Sequence, residues 1–287
     1  MKRYVVPLVA ITMLLSACAG AGSDDDRPSI VASFYPFAFV AERVGGSFIQ
    51  VENLTSPGVE PHDIELAPQQ VAAVQDADLV VYEQGFQAAV DDAIDQADRS
   101  GDDTIDVSAL VPEVKSDPHT WLNPQNMVAT TRAVADAMAT VDPAHADDFA
   151  QNADALIADL DGLDAAFTEG LKTCERRTIV TSHAAFAYLA DRYDLTQVPI
   201  AGLDPSTEPS PRDLARITAL VRREKITTIF TEELVSPAIA RTIADESDVQ
   251  IATLDPIEGL GQDTSDETYL TLMRRNLEAL RTANSCT

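Results

Sequence analysis

Basic residues are scarce in this 287-residue chain: 20 Lys and Arg stand against 47 Asp and Glu, for a formal charge of −27 at pH 7. That shortage excludes a charge-driven grip on nucleic acid or on an anionic membrane face, and it favours an excess of cations at the surface. Histidine and cysteine are rare as well, with four and three copies, and there is a single tryptophan. No HExxH, no nucleophile elbow and no Gly-rich phosphate loop occurs, so no enzymatic activity is expected. Beyond the N-terminus, no run approaches the ~18 apolar residues that a membrane helix requires.

The N-terminus has a different character. Lys2 and Arg3 precede the mostly apolar, uncharged stretch from Tyr4 to Leu15, a secretory pattern that assigns residues 1–17 to a signal peptide. Leu15-Ser16-Ala17-Cys18 resembles the bacterial lipobox, which makes Cys18 the expected lipid attachment point and residues 18–28 a flexible tether. The expected location is therefore extracytoplasmic, lipid-anchored to the bacterial cell membrane. Cys174 and Cys286 remain as a pair in an oxidising compartment, which permits a disulfide between the start of the second half and the C-terminus.

Short β-branched runs alternate with helical patterns. Strands are expected at 29–34, 49–54, 79–82 and 104–107, and again at 177–181, 197–200, 227–230 and 250–254. Helices are expected over 36–44, 68–75, 211–224 and 237–246. This alternation, occurring twice, predicts an α/β fold of two lobes, each a parallel four-stranded sheet flanked by helices. The lobes would occupy 29–141 and 174–287. Between them, apolar residues at Phe149, Ala153, Leu156, Leu160, Leu163, Phe167 and Leu171 mark one face of a long rigid linker helix over 142–173, with Asp142 capping and Pro143 at its first position. The aspartates off that stripe read as a solvated face, and His145 as a surface residue.

Three of the four histidines fall in loops outside the carboxyl ends of strands: His62 in "SPGVEPHDIE" after the second, His119 in "SDPHTWLNP" after the fourth, and His183 in "TIVTSHAAF" right after the fifth. Asp255 follows the last strand in "IATLDPIEGL". Open α/β sheets bind ligands outside the carboxyl ends of their strands, so facing lobes would bring all four residues into one cleft. Three imidazoles and one carboxylate suit a borderline ion such as zinc better than calcium or magnesium. Glu65, Glu232 and Glu233 are candidates for orienting the imidazoles. A single loop histidine is more often a satisfied surface residue, so the joint placement carries the argument. A water in place of the aspartate would instead make a zinc-dependent hydrolase, the lesser alternative.

The stretches "SFYPFAFVAERVGG", "PGVEPHDIELAP", "ADLVVYEQG", "DPHTWLNP", "TSHAAFAYLADRYDL" and "LDPIEGL" resemble successive motifs of the periplasmic zinc/manganese-binding proteins of ABC importers, from about residue 30 to the C-terminus. The resemblance implies two lobes joined by a rigid helix, metal ligation by His62, His119, His183 and Asp255, and delivery of the ion to a membrane permease by a monomer. Members that take manganese tend to carry glutamate where this chain has His183, which favours Zn2+ over Mn2+ or iron. Many zinc members carry a histidine-rich loop before "DPHTWL"; here only "VPEVKS" stands there. A stiff linker disfavours wide hinge closure, so modest lobe tilting and loop motion around His62 or Asp255 are expected on release.

Overall fold

Eight short runs become eight strands in a computed structural model that describes residues 27–99 and 101–287. The signal segment, Cys18 and the tether up to residue 26 lie outside the described residues. The strands are β1 (Ser29–Ala32), β2 (Gln50–Asn53), β3 (Leu79–Tyr82), β4 (Thr104–Asp106), β5 (Thr178–Thr181), β6 (Thr196–Pro199), β7 (Thr228–Thr231) and β8 (Gln250–Thr253). They form two four-stranded sheets of the same order, β2-β1-β3-β4 and β6-β5-β7-β8, with every pairing parallel. The inner strand β3 reads Leu-Val-Val-Tyr and is buried throughout, as a strand covered by helices on both faces requires.

The helices are α1 (Tyr35–Gly45), α2 (Pro68–Asp76), α3 (Ala88–Gln96), α4 (Pro124–Val141), α5 (Ala146–Gly170), α6 (Ala187–Arg192), α7 (Pro211–Arg223), α8 (Ala238–Ser247) and α9 (Tyr269–Asn284). Proline opens α2, α4 and α7, where its missing N–H costs nothing. At α4 the Asn123 side chain accepts from the Gln125 N–H at 3.0 Å, so "TWLNP" is a short turn followed by a capped helix.

The linker departs from its expected form at the start. Asp142 caps a 3-10 turn, Pro143–His145, by accepting from the Ala144 N–H at 3.2 Å, and the α-helix proper begins at Ala146. His145 is tied down rather than free: its Nδ1 lies 2.6 Å from Asp142 Oδ2 and its ring stacks on Phe48 at 4.1 Å. The 25 residues of α5 span ~37 Å. Phe149, Ala153, Leu156, Leu160, Leu163 and Phe167 are all buried along it. The helix packs on α1 and α4 from one lobe and on α9 from the other.

The largest apolar core therefore runs through the middle of the molecule and includes α5, Phe34, Phe37, Trp121, Phe186 and Tyr269. Two smaller clusters, one in each lobe, lie beneath the outer helices. A shared core of this kind resists large rigid-body rotation, because packed interfaces do not deform continuously. Cys174 and Cys286 form a disulfide across 112 positions of sequence and pin the C-terminus to the end of the linker. Among the described residues no helix is long and apolar enough to cross a membrane.

Candidate metal centre

Each sequence-predicted histidine comes from a loop at the carboxyl end of its sheet, and all three meet between the lobes. Ring centroids lie 5.4 Å apart for His62 and His119, 5.5 Å for His62 and His183, and 5.2 Å for His119 and His183. The Nε2 atoms of His119 and His183 are 3.3 Å apart. His119 and His183 are fully buried, and the His62 side chain is 9% exposed.

Every imidazole is backed by a carboxylate on its Nδ1. His119 Nδ1 lies 2.5 Å from Asp117 Oδ1, and His183 Nδ1 lies 2.8 Å from both oxygens of Glu232. His62 Nδ1 is bonded to Glu60. A ring that donates from Nδ1 presents its Nε2 lone pair inward, which is the tautomer a metal ligand needs. His62 Nε2 is buried with no hydrogen-bond partner, and its Nδ1 also lies 3.9 Å from Glu258 Oε2. The short Asp-x-His and Glu-x-His spacings let each acid also accept from the backbone N–H of its histidine. Of the three expected orienting acids, Glu232 takes that role; Glu65 is exposed and Glu233 is half-buried without a bond to any imidazole. Glu60 and Asp117, two residues before His62 and His119, are the partners that sequence reasoning passed over.

The carboxylate that the structure places with the three imidazoles is Glu258 rather than the expected Asp255. Glu258, 1% exposed, places Oε1 3.1 Å from His119 Nε2 and 3.4 Å from His183 Nε2. One donor atom from each of His62, His119, His183 and Glu258 falls within 4.8 Å of all the others. The structure does not bring Asp255 into that set. Its Oδ1 accepts from the Ile257 N–H at 2.8 Å, which bends the short side chain back into an Asx turn. Ile257 then takes a φ of +57°, a left-handed conformation costing about 1–2 kcal/mol for a residue with a Cβ, and Glu258 follows it into the cage. "LDPIEGL" held both acids, and the strand-end rule selected the first of them.

Charge explains the burial. Desolvation pulls His183 down, but its hydrogen bonds to Glu232 and Glu258 outweigh it, leaving the imidazole pushed up to about 10. His119 is raised as well: burial opposes, and Asp117 and Glu258 prevail. Burial would raise Glu258, yet the two imidazoles hold it well below the usual carboxylate range. Positive charge is thus strongly favoured in this cage, whether it comes from protons or from a cation. Asp255 is pushed up to about 7, chiefly by burial against its bond from Ile257, and further by Glu233, Glu258 and Glu232. A cavity of about 500 Å³ beside His62, lined in part by Asp63, Glu83, Asp117, Tyr188 and Asp204, gives an acidic approach.

The two ligand-bearing sides are cross-braced. Trp121 Nε1 from the N-terminal lobe donates to the Pro256 carbonyl at 2.7 Å, and Tyr269 Oη donates to the Trp121 carbonyl at 2.6 Å. Asp117 Oδ2 accepts from the Ala187 N–H at 2.8 Å across the same interface, and the Gly58 N–H donates to the Leu260 carbonyl at 2.8 Å.

A two-lobed α/β binding protein with a cation-sized cage of imidazoles and one carboxylate at the lobe interface is the class that fold and site define. The chain belongs to the ZnuA family, described as zinc-uptake complex component A periplasmic, whose profile matches residues 30–283. It is 34% identical to the zinc-binding lipoprotein AdcA of Streptococcus pneumoniae over 98% of this chain, and it spans 61% of that relative's length. It is 30% identical to the high-affinity zinc uptake system protein ZnuA of Bacillus subtilis, covering 96% of this chain and 95% of the relative. Among solved structures, the Zn(II)-bound ZnuA-like domain of S. pneumoniae AdcA superposes with a TM-score of 0.80 at 36% identity, over 90% of this chain and 99% of that domain.

Proposed function

We propose that this protein is a high-affinity extracytoplasmic zinc receptor that captures Zn2+ and delivers it to an ABC-type membrane permease. The observation that carries this reading is the convergence of three imidazoles and Glu258 within 4.8 Å, donated by both lobes. Nitrogen-rich, carboxylate-completed sets of four suit tetrahedral zinc, and a closed set leaves no open position for a reacting water, which favours binding over hydrolysis. The partial coverage of AdcA leaves the membrane partner and mode of delivery within this proposal, as are attachment to the membrane through Cys18, the monomeric state and the domain limits given above.

With Zn2+ seated, Glu258 contributes one negative charge and the imidazoles are neutral, so the cage carries a formal charge of +1. Asp117, Glu232 and Glu60 then offset that charge through the Nδ1–H bonds. Release proceeds through the loops bearing His62 and Glu258, with little change between the lobes, because α5 and the shared core tie them together. Metal analysis of protein purified without added metal, followed by zinc–manganese competition, tests the reading. One zinc per chain, displaced by manganese only in large excess, is expected; preferential retention of manganese overturns the choice of ion, and no metal retention overturns the receptor.

A further inference from the structure

Ile257 is the only β-branched residue with positive φ among the described residues, and the only buried one. It sits immediately before Glu258, with its side chain fully buried in the main core. A conformation of this kind persists only where its surroundings over-determine it. The restraints here are specific. The Ile257 N–H is held by Asp255 Oδ1 at 2.8 Å. Asp255 is itself fixed on both sides of its backbone by Asn276 of α9, whose Oδ1 accepts from the Asp255 N–H at 2.8 Å and whose Nδ2 donates to the Asp255 carbonyl at 2.6 Å. The intervening Pro256 carbonyl is held by Trp121.

We infer that Asp255 is a positioning residue that sets zinc affinity through Glu258: its carboxylate locks Ile257 in the left-handed conformation that aims the glutamate at the three imidazoles. Were Ile257 to relax to an ordinary φ, the peptide carrying Glu258 would turn and the carboxylate would leave the cage. Asp255 thus acts on the ion without being one of its ligands. The inference rests on the zinc reading of the site, which metal analysis of the wild-type protein tests separately.

The experiment is a zinc competition titration, with Co2+ absorption as a second readout, on Asp255→Ala, Asp255→Asn, Ile257→Gly and the double variant Asp255→Ala/Ile257→Gly. Asp255→Ala is expected to weaken zinc by about tenfold, the scale of a left-handed backbone preference, and to alter the Co2+ spectrum toward that of Glu258→Gln. Asp255→Asn keeps the acceptor oxygen and is expected to stay within about threefold of wild type. Glycine adopts positive φ freely, so Ile257→Gly is expected to restore most of the affinity lost in Asp255→Ala. Glu258→Gln should cost much less in the Asp255→Ala background than in wild type. Wild-type affinity in Asp255→Ala, no rescue by glycine, or full additivity with Glu258→Gln overturns the inference. Should Asp255→Ala not fold, Ile257→Pro reads the same point, since proline cannot adopt this φ. Its zinc affinity and Co2+ spectrum should match those of Glu258→Gln, and wild-type values overturn the inference.

Discussion

Replacing Glu258 by Gln removes one negative charge from a cage that is otherwise imidazole, with almost no change of volume. In the structure that carboxylate lies 3.1 Å from His119 Nε2 and 3.4 Å from His183 Nε2 and is 1% exposed, so water cannot replace it. A buried charge-assisted contact contributes about 1.5–3 kcal/mol, and the anionic ligand sits at the upper end of that range. The expected loss of zinc affinity is therefore about a hundredfold, at 1.4 kcal/mol per decade. Competition against a fluorescent chelator at fixed pH and ionic strength measures it. Asp255→Asn, measured alongside, should move affinity by no more than about threefold, because its role is to hold a backbone N–H. A hundredfold loss in Asp255→Asn with none in Glu258→Gln would return the ligand role to Asp255 and refute the geometry argued here.

Other outcomes follow from the same contacts. The metal-free protein should lose stability as pH rises from ~6.5 toward about 10, because the His183 pKa is raised in the fold and its contribution, complete below the unfolded value, fades as it deprotonates. Zinc competes with those protons, so the rise in Tm on zinc addition should grow over the same interval; a zinc-induced shift that shrinks with pH contradicts the assignment. Trp121→Phe should cost about 1–3 kcal/mol of stability by stranding the buried Pro256 carbonyl, read as a lowered urea midpoint, and an unchanged midpoint would show the brace to be dispensable. Reduction of Cys174–Cys286, which closes a span of 112 residues, should destabilise by up to about 4–5 kcal/mol in the chain-entropy view. Calorimetry with and without thiol reads that difference, and identical melts refute it.

Periodicity and strand-end placement carried far in this chain. All eight strands stand within a residue or two of the expected runs. Inner strands such as β3 and β7 are continuously buried, as strands covered on both faces must be, while the partly exposed edge strands β2, β4, β6 and β8 were marked by β-branched residues recurring between the helical patterns. The convergence of the three histidines was legible because each lies in a loop beyond the carboxyl end of a strand, His183 two residues after β5 and His62 and His119 farther along the loops after β2 and β4, and the two lobes repeat one topology. The carboxylate that lies with them, Glu258, was not legible from that rule. Choosing between Asp255 and Glu258 depends on one backbone dihedral at Ile257, and nothing about isoleucine announces a positive φ. The Asn276 clamp was equally hidden, since α9 meets the Asp255 loop only in three dimensions. Glu60 and Asp117 carried a visible signal, an acid two residues before His62 and before His119, which reads as backing only once the Nδ1 contacts are seen.

The most direct test of the cage is anomalous diffraction at the zinc edge from crystals of the zinc-loaded protein. A single peak bounded by Nε2 of His62, His119 and His183 at ~2.0–2.1 Å and by a Glu258 oxygen at ~2.0–2.2 Å is the predicted result. A peak elsewhere, or one coordinated by Asp255 with Glu258 turned away, would contradict it.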